Sequence, residues 1–137
     1  MPDSFPTLPQ DIIDQRYRGI GYPITKRPGG YFDAVYTREL IRASIRLILL
    51  TRLGERVMLP TFGSSLPRAV FEANDELTLQ LVKQSVDDAL RRWEPRIKIR
   101  SVDLRKEEDL IQAYVSYTII AQSFDDVTNI SFPNTSQ

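Results

Sequence analysis

The residues best suited to specific recognition lie in one short run, Arg91-Arg92-Trp93-Glu94-Pro95-Arg96. The run places a carboxylate and a guanidinium on either side of a proline, whose ring stiffens the backbone between them. A rigid corner that carries both charges needs little ordering when it binds. Truncating a buried, hydrogen-bonded Arg or Glu at an interface costs about 2–5 kcal/mol. A helix breaker flanked by solvated charges is the simpler interpretation, and a lone Glu-Pro-Arg supports nothing beyond it.

Catalytic chemistry has few candidate residues, because the chain contains neither cysteine nor histidine. This excludes a cysteine nucleophile and thiolate metal sites, and it removes the commonest general base and transition-metal ligand. A glycosidase-like pair such as Glu55 and Glu94 would have to face one cleft about 5–10 Å apart, and nothing in the sequence arranges that. The glycines form no phosphate-binding fingerprint. We therefore expect no enzymatic activity, no cofactor and no metal site.

Length and charge restrict the class of protein further. At 137 residues the chain is predicted to form one domain of its own. Its 18 basic and 18 acidic side chains cancel, so we expect neither nucleic acid nor an anionic membrane as a partner. The longest purely apolar stretch, Leu47–Leu50, is far shorter than a membrane span. Without a secretion signal at its start, the chain is expected to be soluble and made in the cytoplasm.

Two long helices are predicted to position the corner. The first begins at Thr37 as N-cap and closes at Gly54. The second begins at Asn74 and must end at or just before Glu94, because Pro95 disfavours helical geometry in the residue before it. Its apolar stripe is Leu77, Leu81, Val82, Val86, Ala89, Leu90 and Trp93.

The segments that flank these helices are predicted to be less regular. Residues 55–60 are predicted to form a short extended segment. Residues 1–36 hold five of the nine prolines and four of the six glycines. They are predicted to form an extended N-terminal arm, with a short helix over residues 11–18.

A small antiparallel sheet is predicted to follow the corner. Apolar and charged residues alternate from Ile97, and a bulge near Ser101 would keep one continuous core face. A long strand returns over residues 110–122, Asp125-Asp126 marks a turn, and residues 127–132 form a third strand. The predicted fold class is therefore α+β: two long helices packed on one face of a three-stranded antiparallel sheet, with residues 1–36 as the arm and 37–137 as the domain.

The sheet also offers a way to bind another chain. A three-stranded sheet has two open edges, and the proline-free strand over residues 110–122 is predicted to accept an added strand through main-chain hydrogen bonds. The arm or the C-terminal tail of the same chain is an equally good occupant of that edge. The side chains assigned to this interface alternate along the strand on the face away from the core: Tyr114, Ser116, Thr118 and Ile120.

Taken in order, several segments resemble one known family. They are Gly19-Ile20-Gly21-Tyr22-Pro23, the block Leu50-Thr51-Arg52-Leu53-Gly54-Glu55-Arg56-Val57-Met58-Leu59-Pro60-Thr61-Phe62-Gly63-Ser64, then Phe71, then Trp93-Glu94-Pro95-Arg96-Ile97. This order and spacing, over about residues 19–122, is similar to the baseplate wedge protein of contractile phage tails. The same family includes the TssE-type sheath initiators of type VI secretion and of extracellular contractile injection systems. Leu53 stands where a proline is common in the family, and Tyr22 where phenylalanine is.

The resemblance implies a structural role in the baseplate. It implies one copy per wedge in a six-fold assembly, between the wedge and the first ring of the sheath. The partners implied are the sheath protein, through strand exchange that templates sheath assembly, and the helical core bundle of the wedge. Glu94, Pro95 and Arg96 are expected to dock on that bundle. Trp93, Glu55 and Arg56 are also expected to contribute to a protein interface.

The implied location is the cytoplasm during assembly and then the baseplate of the tail or particle. Some family members carry a lysozyme-like label, for which the residues of this chain offer no support. The alternatives are a carboxylate-dependent peptidoglycan hydrolase and a generic protein–protein adaptor.

Overall fold

The computed structural model describes residues 17–26, 28–72, 76–107, 110–121 and 123–133. In chain order the elements are β1 (Arg18–Ile20), β2 (Ala34–Tyr36), α1 (Thr37–Leu50), α2 (Leu66–Glu72), α3 (Glu76–Trp93), β3 (Ile97–Glu107), β4 (Leu110–Ile119) and β5 (Phe124–Pro133). The chain divides into two compact units between Ser44 and Ile45, within α1. The predicted α+β class is confirmed, and the described residues contain a short helix, α2, in addition to the two long ones.

The first unit contains a small sheet of its own. β1 and β2 pair antiparallel, with Gly19 opposite Val35. The described part of the predicted arm therefore carries regular structure that its prolines and glycines do not suggest. Residues 11–16 of the predicted short helix lie outside the described residues, and Arg18 belongs to β1. The predicted division between residues 36 and 37 stays a prediction.

The second unit contains a sheet in the order β3-β4-β5, antiparallel throughout. The register shifts between Ile99 and Ser101, which confirms the predicted bulge. Because of this shift, Ile97 and Leu104 are both buried on the same face of β3, at 7% and 8% exposure. Without the shift their odd separation of seven residues would place them on opposite faces.

The strand order corrects the prediction about the sheet edge. β4 lies in the centre and pairs along its whole length with both neighbours, from Leu110 opposite Glu107 and Pro133 to Ile119 opposite Ile97 and Phe124. Its backbone groups are used on both sides, so the expectation that this strand accepts a further strand is wrong. β3 and β5 are the outer strands, and within the described residues neither pairs with another strand on its outer side.

A second correction concerns Asp125 and Asp126, which were predicted to form a turn but lie in β5. Asp126 is opposite Tyr117 of β4 and is only 9% exposed. The Tyr117 hydroxyl donates a hydrogen bond of 2.9 Å to Asp126 Oδ2. Because this partner satisfies a carboxylate oxygen inside the unit, a charged pair typical of a turn is tolerated in a strand.

Helix α3 ends at Trp93, as Pro95 predicts, and packs against β3. Val82, Val86 and Leu90 are buried, whereas Leu77 and Leu81 of the predicted apolar stripe are 69% and 61% exposed. Part of the predicted apolar stripe of α3 is therefore exposed to solvent rather than packed in the core. Asn74, the predicted N-cap, lies outside the described residues.

Helix α1 begins at Thr37 as predicted but ends at Leu50, before the predicted cap at Gly54. The backbone amide of Gly54 instead donates a hydrogen bond to Pro60 O in the following loop. No helix in the described ranges combines the length and apolar character needed to cross a membrane.

Candidate protein-interaction site

The Glu94-Pro95-Arg96 corner is held at both ends by backbone hydrogen bonds. The amide of Glu94 donates to Leu90 O at 2.8 Å, which completes the last turn of α3. On the other side, the amide of Ile120 donates to Arg96 O at 3.0 Å. The corner is therefore fixed to the end of α3 and to the residue that follows β4, and proline removes further freedom between them.

The two charges of the corner are paired with each other. Arg96 donates from Nε to Glu94 Oε1 and from Nη2 to Glu94 Oε2, both at 2.5 Å. The Glu94 side chain is 1% exposed and that of Arg96 is 27% exposed. A two-bond arginine–carboxylate fork of this kind is strong and orients both groups. The interpretation that both charges are presented to a partner thus needs revision, because only Arg96 reaches the surface and Glu94 holds it in place.

An aromatic stack joins the corner to the loop after α1. The ring centroids of Phe62 and Trp93 are 5.2 Å apart, with the ring planes inclined at 60°. The Arg56 guanidinium lies 3.9 Å from the Phe62 centroid, and that of Arg92 lies 5.0 Å from the Trp93 centroid. Cations at such distances are attracted to the ring faces. The structure therefore brings Arg56 and Trp93, separated by 37 positions in the sequence, into one cluster beside the corner.

The loop of residues 52–60 is exposed but internally bonded. Gly54 donates to Pro60 O at 2.8 Å and Leu59 to Arg56 O at 3.2 Å. Glu55 Oε2 accepts a hydrogen bond of 2.8 Å from the Arg52 amide, so this predicted interface carboxylate also supports the loop. The segment predicted as extended is therefore a compact turn.

The tip of that loop is a feature that the sequence prediction missed. Val57 and Met58 are each 93% exposed. Apolar residues such as Val57 and Met58 are more often found in a buried strand than at the tip of a loop. Their residue types alone therefore do not indicate that this segment is an exposed loop. The flanking Gly54 and Pro60 were the available signal, since both residues favour turns.

The predicted interface residues on β4 lie together on the face of the sheet away from the core. Ser116 and Thr118 are half-buried there, and Ile120, after the strand, is 59% exposed. Thr118 Oγ1 accepts a bond of 2.7 Å from Arg100 Nε and donates one of 2.6 Å to Asp125 Oδ1.

The same face continues at Tyr114, which is half-buried and faces the Arg105 guanidinium, 5.1 Å from its ring centroid. The face is thus mixed polar and aromatic. It meets the corner at Ile120, whose amide bonds to Arg96.

Within the described part of the chain, the two carboxylates considered for hydrolysis, Glu55 and Glu94, have different surroundings. Glu94 is enclosed and paired, and Glu55 is exposed on its loop. These two residues therefore do not provide a free acid and a free base facing a cleft. In the described ranges no three acidic side chains are grouped closely enough to hold a metal ion.

Comparison with known proteins relates the chain to a family of baseplate proteins. The family model described as baseplate wedge protein gp25 matches residues 35–123. The baseplate wedge protein gp25 of Enterobacteria phage T4 is 34% identical over 82 residues, which is 60% of this chain and 58% of the T4 protein. The match thus spans less than two thirds of that relative.

Two solved structures extend the comparison. A candidate tail lysozyme from Geobacter sulfurreducens is 33% identical with a TM-score of 0.65, over 71% of this chain and 90% of that one. A chain of the post-contraction baseplate of pyocin R2 is 27% identical with a TM-score of 0.51, over 80% and 97%.

Proposed function

The chain belongs to the family of the baseplate wedge protein gp25, and from that premise we propose that it joins the wedge to the first sheath ring and templates sheath assembly. As a family member it is a structural component of the baseplate of contractile tails and injection particles, where it partners other baseplate components. The proposal adds one copy per wedge in a six-fold assembly, built in the cytoplasm before the particle is complete.

Docking on the wedge is assigned to the corner and its aromatic stack. The fork between Glu94 and Arg96 fixes the guanidinium before any partner arrives, so little side-chain entropy is lost on binding. Trp93 and Arg56 extend the same surface through Phe62. Aromatic and arginine side chains dominate the energetics of most protein interfaces. A helical bundle of the wedge with a carboxylate opposite Arg96 would fit this surface.

Attachment of the sheath is assigned to the sheet of the same unit. The observation that carries this assignment is that β3 and β5 have unpaired outer sides within the described residues. An added strand would form several main-chain hydrogen bonds along such an edge. Tension from a contracting sheath would then be shared among several bonds. The outward face of β4 with Tyr114, Ser116 and Thr118 would lie beside the added strand without bonding to its backbone.

The proposal includes the absence of enzymatic activity. One structural relative carries the name of a candidate tail lysozyme, which makes a peptidoglycan hydrolase the alternative to test. Glu94 is 1% exposed and bonded through both carboxylate oxygens to Arg96. A general acid must reach the scissile bond, so this carboxylate is poorly placed for the task. The purified chain is expected to leave a peptidoglycan suspension turbid, and clearing that disappears in Glu55→Gln would support the hydrolase instead.

The structural role is tested in complete particles. Arg96→Lys keeps the positive charge but loses the planar fork, so the amount of this chain in purified baseplates is expected to fall about tenfold or more. Arg91→Lys is the matched control, since Arg91 is 65% exposed and pairs with Asp87 one turn away on α3. Particles that lack the chain are expected to carry no sheath. Normal baseplates with Arg96→Lys would refute the docking assignment, and sheathed particles without the chain would refute the templating role.

Particles that lack the chain also separate the proposed role from that of a generic adaptor. If the chain were a generic adaptor, sheath and wedge proteins would still assemble in normal amounts without it.

A further inference from the structure

The loop of residues 52–60 carries four apolar side chains at its surface. Val57 and Met58 are each 93% exposed, Leu53 is 54% exposed and Leu59 is 39% exposed. Single exposed apolar residues are normal on a protein surface, whereas a contiguous group of them marks an interaction site. Three of the four are consecutive in the sequence. The loop is therefore a candidate contact for another chain.

The backbone of the loop does not explain why its tip is apolar. Val57 and Met58 occupy the two central positions of a β-turn, which the Leu59 amide closes by donating to Arg56 O at 3.2 Å. Gly, Pro, Asn, Asp and Ser are favoured in turns, because they fit the turn geometry or bond to its backbone. Neither turn geometry nor burial in the core of this unit thus accounts for two large apolar side chains at these positions.

The turn is held in place from below. The Gly54 amide donates to Pro60 O at 2.8 Å across the loop, and the Ser64 amide donates to Thr51 O at 3.0 Å at its base. These bonds fix the tip in the isolated chain. Little backbone freedom would therefore be lost when the tip binds a partner.

The charges beside the turn indicate which partner fits. The exposed guanidiniums of Arg56 and Arg92 lie 3.9 Å and 5.0 Å from the ring centroids of Phe62 and Trp93. Within the described ranges neither of these arginines forms an ion pair. Glu55, the one acidic residue of the loop, bonds to the loop backbone. A partner surface with carboxylates would supply the counter-charges that this surface lacks.

We propose that Val57 and Met58 insert into an apolar pocket of a partner protein, and that acidic residues at the rim of the pocket pair with Arg56 and Arg92. An unbranched methionine adapts to an irregular pocket. The aromatic stack continues this surface to the corner, which makes a wedge component the occupant. That identification rests on the proposed function. The tip is a second anchor, separate from the ion pair of the corner.

Oxidation of Met58 by hydrogen peroxide tests the insertion. Met1 and Met58 are the two methionines of the chain, so mass spectrometry assigns each sulfoxide to its own peptide. The oxidation rate of Met58 is measured in the isolated chain, in sheathless baseplates and in complete particles. Oxidation of a side chain follows its exposure. The rate is therefore expected to fall about tenfold or more on passing from the isolated chain to the sheathless baseplate.

The stage at which protection appears identifies the occupant. Protection that begins only in sheathed particles, or that the isolated chain already shows as its concentration rises, overturns the choice of a wedge component in favour of the sheath or a second copy. Rapid oxidation of Met58 in both kinds of particle overturns the insertion itself. The templating role is tested separately, since it fails if particles without this chain still carry a sheath.

A pair of double variants provides an independent readout. Val57→Thr/Met58→Gln keeps the size of the tip but makes it polar, and a polar group without a partner in an apolar pocket is costly. Leu77→Gln/Leu81→Gln makes the same kind of change at residues of α3 that are 69% and 61% exposed. The amount of this chain in baseplates is expected to fall about tenfold or more with the first variant and to stay within about twofold with the second. Equal incorporation of the two variants, with urea midpoints like that of the natural chain, would overturn the inference.

The acidic rim has its own test. Arg92→Gln removes one cation beside the tip and is expected to lower the amount of this chain in baseplates about threefold or more. Unchanged incorporation would overturn the pairing of Arg92 with the rim.

Discussion

Replacing Arg96 by alanine is expected to destabilise the isolated chain as well as its assembly. The substitution removes both hydrogen bonds to Glu94 and leaves a carboxylate that is 1% exposed without its cation. Loss of one member of a buried ion pair typically costs about 3–5 kcal/mol, because the remaining charge cannot be solvated. The Arg96 side chain is 27% exposed, so water can approach from that side. We therefore expect a loss near the lower bound, about 3 kcal/mol.

Urea denaturation measures this loss, with Trp93 as a built-in probe. Trp93 is the single tryptophan of the chain, adjoins Glu94 and stacks on Phe62, so its fluorescence reports on the corner. Small domains lose about 1–3 kcal/mol of stability per molar urea. A loss of 3 kcal/mol thus lowers the midpoint by about 1–3 M. Circular dichroism on the same samples verifies that the whole second unit unfolds in one transition.

Two further variants decide whether the stranded charge is the cause. The double variant Glu94→Met/Arg96→Met removes both charges and keeps unbranched side chains, so it is expected to recover most of the loss. Arg91→Ala disrupts an exposed pair with Asp87 and is expected to change the midpoint very little. A midpoint shift below about 0.3 M for Arg96→Ala, or a double variant no more stable than the single one, would refute this reasoning.

Three other substitutions test the second unit by thermal or urea unfolding. Tyr117→Phe removes the bond to the buried Asp126 and is expected to cost about 1.5–3 kcal/mol; an unchanged midpoint would contradict it. Gly63→Ala is expected to cost at least about 1–3 kcal/mol, because Gly63 has φ +112° and a Cβ there would lie 2.4 Å from a backbone oxygen; a stable variant would show that the loop relaxes. The hydrogen bond and charge of Lys83 lower the pKa of Asp103, so the pair contributes stability above about pH 4 that is lost as pH falls through the lowered value. The difference in free energy of unfolding between the natural chain and Lys83→Met is expected to vanish at a pH below the lowered pKa of Asp103. A difference that stays constant down to about pH 2 would contradict the assignment.

Local patterns in the sequence predicted the end of α3 and the bulge of β3, but not the compact loop after α1. Pro95 ends α3 at Trp93 because its ring acts only on its immediate neighbours. The slip in alternation near Ser101 predicted the bulge that the register shows, since side-chain period is a property of the strand itself. The clusters of proline and glycine in residues 1–36 were less informative. They did not predict the pairing of β1 with β2, which joins distant segments.

The sequence predicted which residues belong to the candidate site but not how those residues contact one another. The run Trp93–Arg96 was identified from residue types, yet its types do not reveal that Glu94 is enclosed and bonded to Arg96. The stack of Arg56, Phe62 and Trp93 depends on a loop folding back to the end of α3. Asp126 likewise lies in a strand where Tyr117 is opposite it and donates a hydrogen bond to its carboxylate.

By itself, the sequence determined where α3 ends, where β3 bulges, and that cysteine and histidine chemistry is excluded. These properties arise from each residue and its close neighbours along the chain. Only the tertiary structure decided that β4 is central, that β3 and β5 are the outer strands of the described sheet, and that one charge of the corner is used internally. Alternation specifies which face of a strand is buried but not which strand lies beside it, because the backbone N–H and C=O groups of one strand can pair with those of many others.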